Sequence, residues 1–279
     1  MNSEEARKID NLNQKSRVSV KWSFLTEVLV KLVQPINQMI LGRILVPDAF
    51  GMVATVTMVT SFAEMIADSG FQKYLIQHVF STKEELGQHA SVAFWVNLSL
   101  SLVLWLLVIL FRDSLASIVG NPGLGLALAI ASAALPLMSF VSIQQAIYRR
   151  AFDFKRLFPV RLISAAVPLA ISVPLALLGM DYWAIIIGTL VGTLVNAVLL
   201  TVWSEWRPSL YFSFSDFKQM FSFSAWTLLE QFSIWLSAWA GIFIVGGMLN
   251  SYYLGLYRTP MSLVNAGFSL ITAATTPVL

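Results

Sequence analysis

The sequence has 279 residues, of which 57% are hydrophobic and 12% charged, and its net charge at pH 7 is +3. A soluble domain usually carries about 25% charged residues, so this composition predicts an all-α, polytopic membrane protein. The sequence contains no cysteine, which excludes disulfides and cysteine-ligated metals, and we expect no metal and no cofactor. Residues 1–17 are polar and lack the apolar core of a signal peptide, so they are predicted to form a cytoplasmic tail.

About eight apolar segments are long enough to cross a bilayer. They are residues 18–45, 49–68, 89–111, 124–148, 158–178, 182–203, 221–249 and 254–279. Pro47 and Asp48 separate the first two, because proline ends one helix and aspartate caps the next. Pro136 predicts a kink in the fourth segment. Pro168 and Pro174 indicate either hinges or plain kinks in the fifth.

An internal repeat relates the first helices to the seventh and eighth. A displacement of 204 residues aligns seven identical pairs between positions 22–51 and 226–255, including Gly42 with Gly246 and Gly51 with Gly255. Six segments precede the second copy, so the two copies have the same orientation and a repeat axis along the membrane normal. The predicted organisation is a six-helix bundle at 18–203, a cytoplasmic interfacial connector at 204–220 and the start of a second bundle at 221–279.

The repeat length also predicts that the chain is incomplete. Two full repeats need about 408 residues, whereas the sequence has 279. We therefore expect a fragment of a longer transporter, which alone is inactive or self-associates to cover its polar face.

Lysine and arginine are distributed unequally between the two sides of the predicted topology. Fourteen of the 18 lie in the tail or in connectors on its side, and Arg43, Arg112 and Arg258 lie at the opposite ends. This distribution predicts a cytoplasmic N-terminus in the cell inner membrane. The basic connector 149–161 is either this topology signal or a site that captures a lipid diphosphate.

Several polar residues lie inside the apolar segments, where a charge costs about 2.5–3.5 kcal/mol on insertion scales. The candidates for a substrate or ion pathway are Glu27, Lys31, Gln34, Asn37, Glu64, Asp68, Glu230 and Gln231. Pairs four residues apart share a helix face, so Glu27, Lys31, Glu64 and Glu230 are predicted to line one cavity. The alternative for Glu27 and Lys31 is an ion pair that enters the membrane together, and Asp68 could instead be solvated near a helix end. Arg43 and Arg258 are candidates to contact a diphosphate, or else anchor their helices at the head groups.

Five short motifs in order resemble bacterial polysaccharide flippases of the Wzx type. They are LGRILVPDAFG at 41–51, DSGF and LIQ within 68–77, AFWVN at 93–97, YRRAFDFK at 148–155 and GLYR at 255–258. The resemblance implies two six-helix bundles, alternating access and a polyprenyl-diphosphate-linked oligosaccharide as cargo. It also implies membrane lipids as surroundings, and a polysaccharide polymerase and chain-length proteins as partners. Family members have twelve or more spans, which this chain does not reach.

Enzyme functions are not supported by the motifs. The two histidines are His78 in a connector and His89 at the very start of the third segment, no Asp-x-Asp metal motif occurs, and a glycine-rich phosphate loop is missing. We expect no nucleic-acid partner. Two alternatives stay open: a multidrug or cation antiporter of the same superfamily, and a lipid scaffold without transport.

The predicted topology can be tested with a reporter that is active only outside the cytoplasm. Fusion after Asp113 is expected to be active and fusion after Lys155 silent, because positive residues concentrate on the side of Lys155. The reverse pattern would show that the orientation is wrong.

Overall fold

A computed structural model describes residue 26 and residues 28–68 and 70–275. All regular secondary structure in these ranges is helical. The helices are α1 (Val28–Leu41), α2 (Pro47–Asp68), α3 (Phe71–Gln77), α4 (Lys83–Leu110), α5 (Arg112–Ile118), α6 (Gly125–Ala131), α7 (Ala134–Arg150), α8 (Phe154–Leu177), α9 (Asp181–Trp203), α10 (Phe214–Met248) and α11 (Ser251–Thr275). A 3₁₀ turn, Pro122–Leu124, precedes α6. We call α1–α9 the first bundle.

Helix boundaries follow capping side chains and prolines. Thr82 accepts a hydrogen bond from the amide of Glu85 at the start of α4, and Ser213 accepts one from the amide of Asp216 at the start of α10. The break between α6 and α7 lies just before Pro136, which cannot donate the backbone hydrogen bond that would continue the helix. Helix α8 instead runs through Pro168 and Pro174 without interruption.

The chain is a multi-pass membrane protein. Six helical stretches in the described ranges are long and apolar enough to cross a membrane, counting residues 122–150 with α6 and α7 as one. Large apolar side chains on them point outward: Leu110 is 66% exposed, Leu177 70% and Val202 63%. Such a surface is stable against lipid and not against water. The all-α polytopic prediction is confirmed. Of the eight predicted segments, the first is described only as the shorter helix α1, and α11 is not among the six.

The segment predicted as a polar connector, residues 70–88, contains a buried helix. Helix α3 places Phe71, Tyr74 and Leu75 in the core, where they pack against α4 and α7. Arg150 holds the end of α3 by donating hydrogen bonds to the carbonyl oxygens of residues 75, 76 and 78 at 2.6–3.1 Å. Seven residues are too few to show helical periodicity, which is why the sequence did not reveal this element.

The segment after α9 is extended and lies across α4. Trp95 donates its indole hydrogen bond to the carbonyl oxygen of Ser209 at 2.8 Å, and Ser91 contacts the Ser209 hydroxyl at 3.0 Å. Helix α10 then begins at Phe214, seven residues before the predicted span at 221, and its Met220 is fully buried against α3 and α4. The start of α10 is therefore fastened to the first bundle.

Helix α11 crosses α2 of the first bundle closely at two glycines. A Cβ atom on Gly51 of α2 would overlap the carbonyl oxygen of Ser251, and one on Gly255 of α11 would overlap the carbonyl oxygen of Pro47. Residues 47 and 251, like Gly51 and Gly255, are separated by the repeat length of 204. The contact of Gly51 with Ser251 is thus equivalent, under the repeat, to the contact of Gly255 with Pro47. Such a reciprocal pair of contacts is expected where a two-fold axis passes between the two helices.

Substituting either glycine should destabilise the protein. Gly51→Ala and Gly255→Ala must force α2 and α11 apart, at a cost of about 1–3 kcal/mol for overpacking. Thermal unfolding in detergent, followed by tryptophan fluorescence, should show a lower Tm for both.

Gly247→Ala is the matched control, because its Cβ would enter open space on α10. We expect its Tm to be unchanged or slightly higher, because alanine favours a helix over glycine by up to about 1 kcal/mol. Equal Tm values for all three variants would contradict the close crossing.

Candidate functional site

A cavity of about 480 Å³ lies between the first bundle and α10. Helix α2 contributes Ser61, Glu64 and Asp68, which are spaced by three and four residues and therefore share one face. Helix α7 contributes a second stripe with the same spacing, and α4 and α9 add one amide each. Further lining residues are Gln72, Asn97, Ser101, Met138, Ser139, Ser142, Gln145 and Asn196.

Hydrogen bonds join these polar side chains across helices. Ser142 donates to the carboxylate of Asp68 at 2.6 Å, and Gln72 donates to the Ser142 carbonyl oxygen at 3.2 Å. The hydroxyls of Ser101 and Ser139 are 3.0 Å apart. A bond to a carboxylate is stronger than one between neutral groups, so Ser142 holds Asp68 at the cavity wall.

The wall on α10 is largely aromatic. Gln231, Trp235 and Trp239 face the cavity at intervals of four residues. The Trp235 indole donates to the hydroxyl of Ser61 at 3.0 Å, and its ring lies 4.8 Å from that of Phe62. The Arg258 guanidinium lies over the Trp239 ring, 4.8 Å from its centroid.

The described lining of the cavity contains acidic but no basic side chains. Its lining includes the carboxyl groups of Glu64 and Asp68, and no lysine, arginine or histidine among the described lining residues. Arg149 and Lys73 interact electrostatically with Asp68 from outside the lining. Within the described ranges no group of three or more histidine, aspartate or glutamate residues could hold a metal ion.

Three of the predicted pathway residues lie together in this cavity: Glu64, Asp68 and Gln231. Glu230 does not line it. Its carboxylate forms an exposed ion pair with Lys73 of α3, with 2.8 Å between Nζ and Oε2. This pair links α10 to the first bundle beside Gly70, whose positive φ of 75° brings its backbone against Thr227.

The predicted residues of the first helix are not part of the cavity lining in the described structure. Glu27 lies outside the described residues. Lys31 and Asn37 are half-buried, Gln34 is exposed, and the Asn37 side-chain oxygen has no hydrogen-bond partner among described residues. The neighbouring Gln38 accepts a hydrogen bond from Ser262 of α11.

Arg43 and Arg258, the two residues predicted to contact a diphosphate, have different surroundings. Arg43 is exposed in the turn after α1, whereas Arg258 stacks on cavity-lining Trp239. In the basic connector, Arg156 donates to Glu205 at 2.7 Å and pairs with Asp153. Its hydrogen bond and charge lower the pKa of the Glu205 carboxyl below the ordinary value. Arg150 and Arg156 are therefore engaged in contacts within the protein.

Sequence reasoning missed the uncharged half of the site. Asn97, Ser142 and Asn196 line the cavity, and so do Trp235 and Trp239. The signal was present as spacing: the α7 lining residues recur every three or four positions, as do those of α10. Charge selected Glu64 and Asp68, and Gln231 was the one neutral lining residue among the predicted candidates.

Comparison with known proteins identifies the family. A protein family described as "Polysaccharide biosynthesis protein" matches residues 40–279. The chain belongs to this family. The resemblance noted from the motifs is therefore confirmed.

Curated relatives of the family extend beyond the length of this chain. The succinoglycan biosynthesis transport protein ExoT of Rhizobium meliloti (strain 1021) is 29% identical over 238 residues, covering 85% of this chain and 46% of ExoT. The lipopolysaccharide biosynthesis protein WzxC of Escherichia coli (strain K12) is 21% identical, with 89% and 50% covered. The teichuronic acid biosynthesis protein TuaB of Bacillus subtilis (strain 168) is 24% identical, with 88% and 50% covered. The chain thus spans about half the length of these relatives.

Solved structures support the fold of this family member. A MATE structure in the straight conformation superposes with a TM-score of 0.66 at 16% identity, covering 95% of this chain and 64% of that one. The bent conformation of MATE gives a TM-score of 0.54 at 15% identity, with 95% and 69% covered. At this identity the likeness concerns the fold alone.

The ion pair between α3 and α10 can be tested by exchanging its charges. Lys73→Glu and Glu230→Lys each place like charges at the contact and should lower the Tm of the purified protein. The double variant re-forms the pair in reverse and should recover most of the loss. Because both side chains are partly exposed, we expect the pair itself to contribute no more than about 1 kcal/mol.

Arg112→Glu serves as the control for reversing one charge of an exposed ion pair. Its partner Asp113 belongs to the same bundle, so this variant leaves the contact between α3 and α10 unchanged. A double variant whose loss equals the sum of the single losses would show that Lys73 and Glu230 do not interact in the folded protein.

Proposed function

We propose that the protein moves a polyprenyl-diphosphate-linked oligosaccharide from the inner to the outer leaflet of the cell inner membrane, for exopolysaccharide, capsule or O-antigen synthesis. The observation that carries the proposal is the polar cavity between the first bundle and α10, in a chain of the polysaccharide biosynthesis family. Transporters often bind their substrates near mid-membrane between repeated bundles. The names of ExoT, WzxC and TuaB supply the class of product.

The proposed transport mechanism concerns the two structural units on either side of the cavity, the first bundle and helices α10 and α11. We infer alternating access, in which α10 and α11 belong to a second bundle that rocks against the first, with the boundary near residues 204–220. A cytoplasmic N-terminus places the Lys73 and Glu230 contact on the inner side and the glycine crossing on the outer side. A polysaccharide polymerase and chain-length proteins would then receive the translocated product.

The antiporter alternative is supported only by the fold. MATE structures share the helix arrangement at 15–16% identity, whereas the family and the curated relatives concern polysaccharide synthesis. The polysaccharide cargo is therefore the stronger proposal.

Gene deletion tests this function. Without the protein, the lipid-linked oligosaccharide should accumulate on the inner leaflet and surface polysaccharide should fall, because the head group cannot cross the hydrocarbon core unaided. The measurement is the leaflet distribution of the radiolabelled lipid-linked sugar, with the reintroduced gene as control. A normal rate of transfer in a strain without redundant exporters would refute the proposal.

The same strain distinguishes the alternatives. An antiporter predicts increased drug susceptibility with normal leaflet distribution. A scaffold without transport predicts that Glu64→Gln and Asp68→Asn support normal export, whereas a transport cavity predicts reduced export at normal protein abundance.

A further inference from the structure

We infer that Trp235 and Trp239 form a sugar-binding platform, and that the cavity receives the uncharged sugar part of the cargo rather than its diphosphate. This inference rests on the proposed function and specifies which part of the cargo the cavity contacts. Two properties of the described cavity carry it: tryptophans on one wall face polar side chains on the other, and the described lining contains no cationic side chain.

The aromatic wall has the geometry of a platform. Trp235 and Trp239 lie one helical turn apart on α10 and both line the cavity. The face of an aromatic ring carries partial negative charge, which attracts the weakly positive C–H groups on the flat side of a sugar ring. Two aromatic rings one helical turn apart can each contact one of two neighbouring sugar units. A compact ion would contact only one of them.

Each ring has a contact that fixes its orientation. Ser61 accepts the Trp235 indole hydrogen bond at 3.0 Å, and the Arg258 guanidinium stacks on Trp239 at 4.8 Å. Rings that are already held lose little conformational freedom on binding, which favours affinity. Arg258 is therefore assigned here as a positioning residue for Trp239.

The opposite wall offers the complementary groups. Amides and hydroxyls of Asn97, Ser139 and Asn196 face the cavity, together with the carboxylates of Glu64 and Asp68. The buried side-chain oxygen of Asn196 has no hydrogen-bond partner among the described residues. Such a free acceptor suits a hydroxyl donor, and sugars present hydroxyls around the edge of the ring.

The charge disfavours a diphosphate in this place. The described lining contains two carboxyl groups and no cationic side chain. A diphosphate carries at least two negative charges, and a cavity without a cationic side chain offers no partner to neutralise them. Three cationic side chains near the cavity are outside its lining: Lys73 and Arg149 interact with Asp68, and Arg258 stacks on Trp239.

The test uses the native cargo and compares aromatic with aliphatic replacements. In the deletion strain complemented with the full-length gene, Trp235→Leu and Trp239→Leu should each reduce export by about tenfold, because the stacking face is lost. Trp235→Phe and Trp239→Phe should retain most export, because a ring remains. Membrane abundance is measured for every variant.

The phenylalanine variant at 235 separates binding from structural support. It removes the indole donor to Ser61, so a purely structural role would make Trp235→Phe as defective as Trp235→Leu. Trp226→Leu is the control, since Trp226 lies on the same helix but is 77% exposed.

Normal export by both leucine variants at normal abundance would overturn the platform, and so would equal defects in the leucine and phenylalanine variants. The proposed function fails separately, if gene deletion leaves the leaflet distribution unchanged.

Discussion

The lack of hydrogen-bonding solvent in the bilayer core determines the arrangement of this protein. Every polar group at that depth needs a partner inside the protein or in a water-filled cavity. Helices α2, α4, α7 and α9 each carry polar residues within apolar runs, and the structure turns these stripes toward one another. The contact between Ser142 and Asp68 shows the result: a carboxylate from one helix is paired with a hydroxyl from another. The cavity is the place where stripes that cannot face lipid meet.

Close helix contacts in such a protein depend on small residues, because lipid gives no hydrophobic driving force between helices. Gly188 and Gly192 of α9 meet Ser172 and Pro168 of α8, and a Cβ atom on either glycine would overlap them. The crossing of Gly51 and Gly255 uses the same device between α2 and α11. This crossing also reflects the internal repeat, because α2 and α11 meet at Gly51 and Gly255, which occupy the same position in the two copies.

The sequence predicted some features of the site well and others poorly, for physical reasons. The spacing of Glu64 and Asp68 defines a helix face, and that face does line the cavity. Glu230 and Gln231 are adjacent, so they point about 100° apart around the helix, and spacing could not tell which one faced inward. Only Gln231 does. The ion pair of Glu230 depends on α3, an element too short to predict from periodicity.

The two halves of α10 contact the first bundle in chemically different ways. In the first half Met220 is fully buried and Glu230 pairs with Lys73 in a partly exposed position. In the second half Ile242 packs with Ala54 and Met58, and Ser251 at the start of α11 donates a hydrogen bond to Asn121. Between them the cavity-facing stripe of α10 has its aromatic and amide side chains turned to open space. An exposed ion pair is easily exchanged for water, whereas backbones in contact at glycines cannot separate without losing dispersion contacts along both helices. The glycine crossing is therefore the contact between α10–α11 and the first bundle that costs more to separate, and the ion pair is the one that costs less.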